Sequence, residues 1–86
     1  MIDNDSSEQF TVIEVYADDR IGLLYDVAKT LSDFGLNIYR AIIGTRADQV
    51  VDVFYVQDHN HQKINDEGLM KKIHQSLLYV ATKGIG

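Results

Sequence analysis

No cysteine occurs among the 86 residues, so no disulfide can hold the fold and no thiolate can help bind a metal. No apolar run approaches the roughly 20 residues needed to span a bilayer, so nothing reads as a transmembrane helix. Positive charge is scarce. Eight Lys and Arg against thirteen Asp and Glu leave a net charge of −5, which argues against binding a phosphate backbone or an anionic membrane surface. Residues 1–8 are polar and acidic, unlike a secretory signal, and the expected location is cytoplasmic. The length allows one small domain with a modest core and leaves no room for a second, catalytic one. Ser6, Ser7, Ser32 and Ser76 lack the neighbouring His and Asp of a nucleophilic site, so no catalytic residue and no cofactor are expected.

What is present is a clear alternation of elements. Gln9 to Ala17 is β-branched and aromatic and reads as a strand, with Thr11, Ile13, Val15 and Ala17 in one row and Phe10, Val12, Glu14 and Tyr16 in the other. From about Ile21 to Phe34, Leu23, Leu24, Val27, Ala28, Leu31 and Phe34 recur at helical spacing, and Gly35 suits a left-handed cap. Leu36 to Arg46 and Val50 to Asp58 read as a hairpin closed at residues 47–49. A second helix is expected from about Asp66 to Ala81, with Asp66 and Glu67 at its positive end. The order strand, helix, strand, strand, helix is that of a split βαβ sheet with both helices on one face.

The turn from the first strand into the first helix, Ala17 to Leu24, carries the functional interest. Gly22 has no side chain, so another molecule can approach the backbone closely, and the first helical N–H groups around Ile21 to Leu23 leave the same turn without partners. Such a turn can hold a small anionic group; equally, Gly22 relieves crowding where helix meets sheet. Asp18 and Asp19 are either charges that attract a ligand ammonium or carboxylates that suit a helix N-terminus and pair with Arg20.

Asp19-Arg20-x-Gly22-Leu23-Leu24, then Gly35-Leu36-Asn37-Ile38 and Ala41-x-Ile43-x-Thr45, resemble the ACT domain, a small regulatory module that binds amino acids. More narrowly, residues 2–7, 11–31 and 52–58 resemble the last ACT domain of bifunctional uridylyltransferase/uridylyl-removing enzymes. One departure is Ile21, where many relatives have proline; proline there only pre-sets φ, so isoleucine costs little. The resemblance implies an α+β, ferredoxin-like ACT fold that senses an amino acid, glutamine above all, through Asp18, Asp19, Ile21, Gly22, Leu23, Asn37 and Ile38. It also implies pairing as a homodimer or with another ACT domain. In ACT-like domains Asn37 is expected near the turn, where its amide can donate to a carboxylate and accept from an amine; the alternative is a loop asparagine bonded to local backbone.

On this reading, 1–8 is a polar lead-in and the remnant of an upstream strand, 9–82 is the ACT domain and 83–86 a short tail. The final strand of a complete unit has no clear candidate, so an exposed sheet edge is expected, which either another chain covers or the terminus covers weakly. Glu14, Arg40 and Asp52 interrupt apolar strands and either share the face away from the helices or are separately solvated. Tyr16, Tyr39 and Tyr55 are either interface anchors or half-buried sheet residues. Asp58, His59 and His61 read as a solvated loop rather than a metal site. A structural dimerisation module without a small ligand is the alternative function.

Overall fold

The computed structural model describes residues 2–18, 22–46 and 49–82. Along it run β1 (Ile2–Asp3), β2 (Thr11–Asp18), α1 (Leu23–Asp33), β3 (Asn37–Arg46), β4 (Gln49–Gln57) and α2 (Glu67–Thr82). The strands form one antiparallel sheet in the order β1-β2-β4-β3. This is the expected α+β architecture.

The alternation in β2 decides which face is dry. Thr11, Ile13, Val15 and Ala17 are all buried, facing Phe54 and Val56 of β4 and the helices. Helix α1 buries Leu23, Val27 and Leu31, and α2 buries Ile73, Leu77 and Val80, so each contributes one apolar stripe to a single core. Each such side chain stabilises the fold by about 1.5–3 kcal/mol. Leu24 belongs to the expected stripe of α1 but stays 42% exposed.

The caps explain where the helices stop and start. Gly35 adopts φ 78°, its N–H donates to the Ser32 carbonyl at 2.9 Å, and the Leu36 N–H reaches the Leu31 carbonyl at 3.1 Å. These two bonds close a Schellman motif in which Leu36 is buried beside its helix, as the position of Gly35 implied. At the other helix, the Asp66 carboxylate accepts from the Leu69 N–H at 3.2 Å.

β2 begins later than the expected Gln9 because the Ser7 hydroxyl captures the N–H groups of Gln9 and Phe10, which holds both in a turn. Ahead of it, Asp3 accepts from the Ser6 hydroxyl and the Asp5 N–H, and these bonds hold its carboxyl below the usual range. The expected open edge is partly occupied. Ile2 pairs with Ile13 and Asp3 with Val12, so the N-terminal lead-in lies beside β2 as a two-residue strand.

A buried polar staple fixes this lead-in. Thr11, with no exposed surface, donates to Asn4 Oδ1 at 2.5 Å and accepts from the Ile64 N–H at 2.9 Å; the Asn4 amide donates to the Ile64 carbonyl at 2.8 Å. Lys63 Nζ adds a bond to the Asn4 carbonyl at 2.7 Å. The lead-in and the start of β2 are thereby joined through one hydroxyl to a segment more than fifty residues away. Thr11→Val removes the acceptor and leaves the buried Ile64 N–H without it, so urea unfolding should report a loss of about 1–3 kcal/mol. Thr11→Ser keeps the hydroxyl and should retain more of that stability.

Candidate functional site

The turn after β2 is anchored on its helical side. Leu23 is 3% exposed and packs into the core, so its side chain holds the turn and only its backbone can meet a ligand. Gly22 adopts φ 84°, ψ −1°, a left-handed conformation that the sequence pattern did not signal. Its carbonyl accepts the first intrahelical bond, from the Asp26 N–H at 2.9 Å, and it offers no side-chain cap to the donors before that. The N–H groups at Leu23 to Tyr25 thus start the helix at its positive end with no capping hydroxyl or carboxylate from Gly22. Asp19, Arg20 and Ile21 lie outside the described residues, as does the side chain of Asp18; the backbone of Asp18 ends β2 opposite Gln49.

Asn37 and Ile38 stand elsewhere. Asn37 opens β3 opposite Gln57, and the neighbouring Val56 pairs with Thr11 at the beginning of β2. The turn follows the other end of β2. Within one chain, therefore, Asn37 and Gly22 sit at opposite ends of the sheet, separated by the length of an eight-residue strand. The expected proximity of the two is not met inside the monomer. Asn37 is exposed, and Ile38 is 37% exposed on the strand that forms the sheet's outer edge.

Beyond Ile38 this edge is strongly apolar: Tyr39, Ile42 and Ile43 are 49%, 41% and 55% exposed. Ile38 and Arg40 pair with successive residues of β4, so Tyr39 forms a bulge. Phe10 packs on Tyr39 with ring centroids 5.3 Å apart and meets Tyr55 edge-on at 6.2 Å, while Arg40 lies over the Tyr55 ring at 6.0 Å. The Tyr39 hydroxyl is 2.8 Å from His61 Nδ1. Tyr16 is apart from this cluster and donates to Glu14 at 2.5 Å.

The grouping of Glu14, Arg40 and Asp52 is corrected by register. Glu14 pairs with Val53 and Arg40 with Tyr55, on the face away from the helices, but Asp52 pairs with Val15 and is 1% exposed on the helical face. A period-two strand turns the neighbour of each outward residue inward, so Asp52 cannot join the other two. The loop after β4 also has a defined geometry. Asp58 Oδ1 accepts from the Asn60 N–H at 2.8 Å and the Gln62 N–H at 3.1 Å, so this carboxylate organises backbone. Among the described residues no group of three or more His, Asp or Glu is placed to hold a metal ion.

An antiparallel four-stranded sheet with two helices on one face and a glycine-opened turn at the head of the first helix is the α+β, ferredoxin-like architecture of an ACT-type domain. The sequence profile of the ACR family N-terminal ACT domain matches residues 6–84, and the chain belongs to the ACT domain family. It is 45% identical over 80 residues to the bifunctional uridylyltransferase/uridylyl-removing enzyme of Cereibacter sphaeroides, covering 88% of this chain and 9% of that protein. The corresponding enzyme of Zymomonas mobilis is also 45% identical over 80 residues, covering 93% of this chain and 9% of its own length. That of Azospirillum brasilense is 42% identical over 79 residues. The chain thus spans about a tenth of the length of these relatives.

The left-handed Gly22 makes a direct prediction. Gly22→Val forces a β-branched residue into that conformation and should cost about 1–3 kcal/mol in thermal or urea unfolding. Gly22→Asn, which tolerates positive φ, should cost clearly less.

Proposed function

We propose that this ACT domain senses a small amino acid, glutamine first, in the regulation of a uridylyltransferase/uridylyl-removing enzyme, and that its pocket is completed by a second ACT domain. The observation that carries this reading is the separation of Asn37 from Gly22. Pairing two copies antiparallel along their β3 edges, about a two-fold axis near the middle of the strand, moves Asn37 of a second copy to the end of the sheet where β2 runs into α1. The two halves of the candidate site then meet between domains. The exposed Ile38, Ile42 and Ile43 supply apolar area for that contact.

In this arrangement the ligand carboxylate accepts from the N–H groups at the start of α1, Gly22 permits the approach, and Asn37 reads the remaining polar group. Asp18 or Asp19 attracts the α-ammonium. The site needs no catalytic group, and the expected place of action is the cytoplasm. Regulation follows from linkage: a ligand that favours the paired arrangement shifts the pairing equilibrium by its differential affinity and no further. The exposed β3 edge also supports a second reading, a pairing module that takes no small ligand.

Titration of glutamine, then other amino acids, while following amide shifts separates the two. Saturable shifts at 22–24 and 36–38 are expected, and Asn37→Ala should weaken binding by about two- to tenfold, the worth of one hydrogen bond. Absence of any saturable shift, in the 86-residue chain and in a version extended upstream, leaves the pairing module. Ile43→Lys places a charge on the edge without touching the core, since Ile43 is 55% exposed. It should convert any dimer seen in sedimentation to monomer and lower glutamine affinity in parallel; a variant that stays dimeric and binds normally would refute pairing through β3.

A further inference from the structure

The loop that leaves β4 takes no part in the sensing described above, yet it is built against the head of β3. Asp58 directly follows Gln57, the residue paired with Asn37. Its carboxylate holds the Asn60 and Gln62 N–H groups, its own N–H donates to the Gln62 carbonyl at 2.8 Å, and its carbonyl accepts from the His61 N–H at 3.0 Å. His61 leaves these bonds with φ 62°, a positive value that among the described residues only it and glycines adopt. A residue with a side chain persists in that conformation where its surroundings hold it. Here the held backbone sets the imidazole 2.8 Å from the Tyr39 hydroxyl. Phe10 packs on the same Tyr39, and the Gln57 side-chain amide donates to the Gln9 carbonyl at 2.8 Å, which ties that segment back to β4. Tyr39 is thus gripped from two sides by contacts that begin at Gln57 and Asp58.

Register shows what the grip controls. Asn37 and Ile38 pair with Gln57 and Val56, whereas Arg40 and Ala41 pair with Tyr55 and Phe54, so Tyr39 is the extra residue between two regular runs. Drawn into a regular ladder with Arg40, Tyr39 would pair with Val56, Ile38 with Gln57 and Asn37 with Asp58. Asn37 would move by one residue along β4, about 3.3 Å, and its side chain would turn to the other face of the sheet.

We propose that His61 and Tyr39 are positioning residues for the ligand: through their contact the 58–62 loop keeps Tyr39 out of the ladder and so fixes the place and the face at which Asn37 reads. This rests on the reading in which Asn37 takes the side-chain polar group of glutamine in a pocket shared by two domains. Neither His61 nor Tyr39 has to touch the ligand.

The test compares glutamine with norvaline, which has the same α-carboxylate and α-ammonium but no amide, by amide-shift titration of the 86-residue chain and of the version extended upstream. Tyr39→Phe removes only the hydroxyl, and His61→Gly keeps the left-handed backbone while removing the ring. Each should lower the preference for glutamine over norvaline by about two- to tenfold, the worth of one hydrogen bond, with norvaline affinity unchanged. The double variant should lower it no further than the stronger single one, since both break the same contact. Asp58→Ala, which frees the loop, should act in the same direction, and Asp58→Asn, which keeps an acceptor oxygen, should restore most of the preference. In an Asn37→Ala background neither Tyr39→Phe nor His61→Gly should have a further effect, because both act through the Asn37 amide. The inference is overturned if the two variants keep the parent's preference, if they weaken both amino acids equally, as a general loss of stability would, or if their effect persists without the Asn37 amide. A parent chain with no preference for glutamine would overturn the sensing reading and this inference with it, whereas a preference that survives in the variants overturns this inference alone.

Discussion

Strand β4 is paired from Gln49 to Val56 with β2 on one side and from Gln49 to Gln57 with β3 on the other, and the remaining geometry follows from that double pairing. It is the strand that brings Phe54 and Val56 under both helices. Because β4 is antiparallel to each neighbour, β2 and β3 run in the same direction without touching, and α1 must carry the chain back between them. A residue at the start of β3 is thereby committed to the end of the sheet remote from the start of α1. Separation of the two halves of the candidate site is thus a property of the topology, and no side-chain change within one chain can repair it.

That separation gives the proposed sensing its switch. A pocket complete within one domain would bind ligand whatever its neighbours did, whereas a divided pocket couples occupancy to association. Leu23 matters here although it touches no ligand. Buried at 3% exposure, it fixes the first turn of α1 on the core, so the backbone donors are positioned before any ligand arrives.

Most of the architecture was legible in the residues. The two rows of β2 were legible, though both are fairly apolar and which one faces the helices was not, and Gly35 after Phe34 could end a helix in few ways because local chemistry decides it. What escaped the reading was set by pairing between distant segments. Residues 1–8 read as the remnant of an upstream strand, but the place of Ile2 and Asp3 beside β2 depends on Asn4, Thr11 and Ile64 meeting in space. The inward turn of Asp52 and the bulge at Tyr39 depend on register, which composition does not encode. The left-handed Gly22 was open to either reading, since glycine adopts both hands with equal ease. The candidate site was legible only as a set of residues; its division between the two ends of the sheet was not.

The bulge at Tyr39 bears on how far such a sheet can grow. An exposed apolar edge can in principle meet a different edge of the next copy, and a heterologous contact of that kind does not close on itself but propagates into a fibre. The irregularity at Ile38 and Arg40 bends the outer edge at one end and twists it relative to the straight ladder of β2. Two bulged edges related by a two-fold axis present the same twist to each other. In the proposed pairing, the bulge at Tyr39 thus shapes an isoleucine-rich edge for a contact that closes on itself.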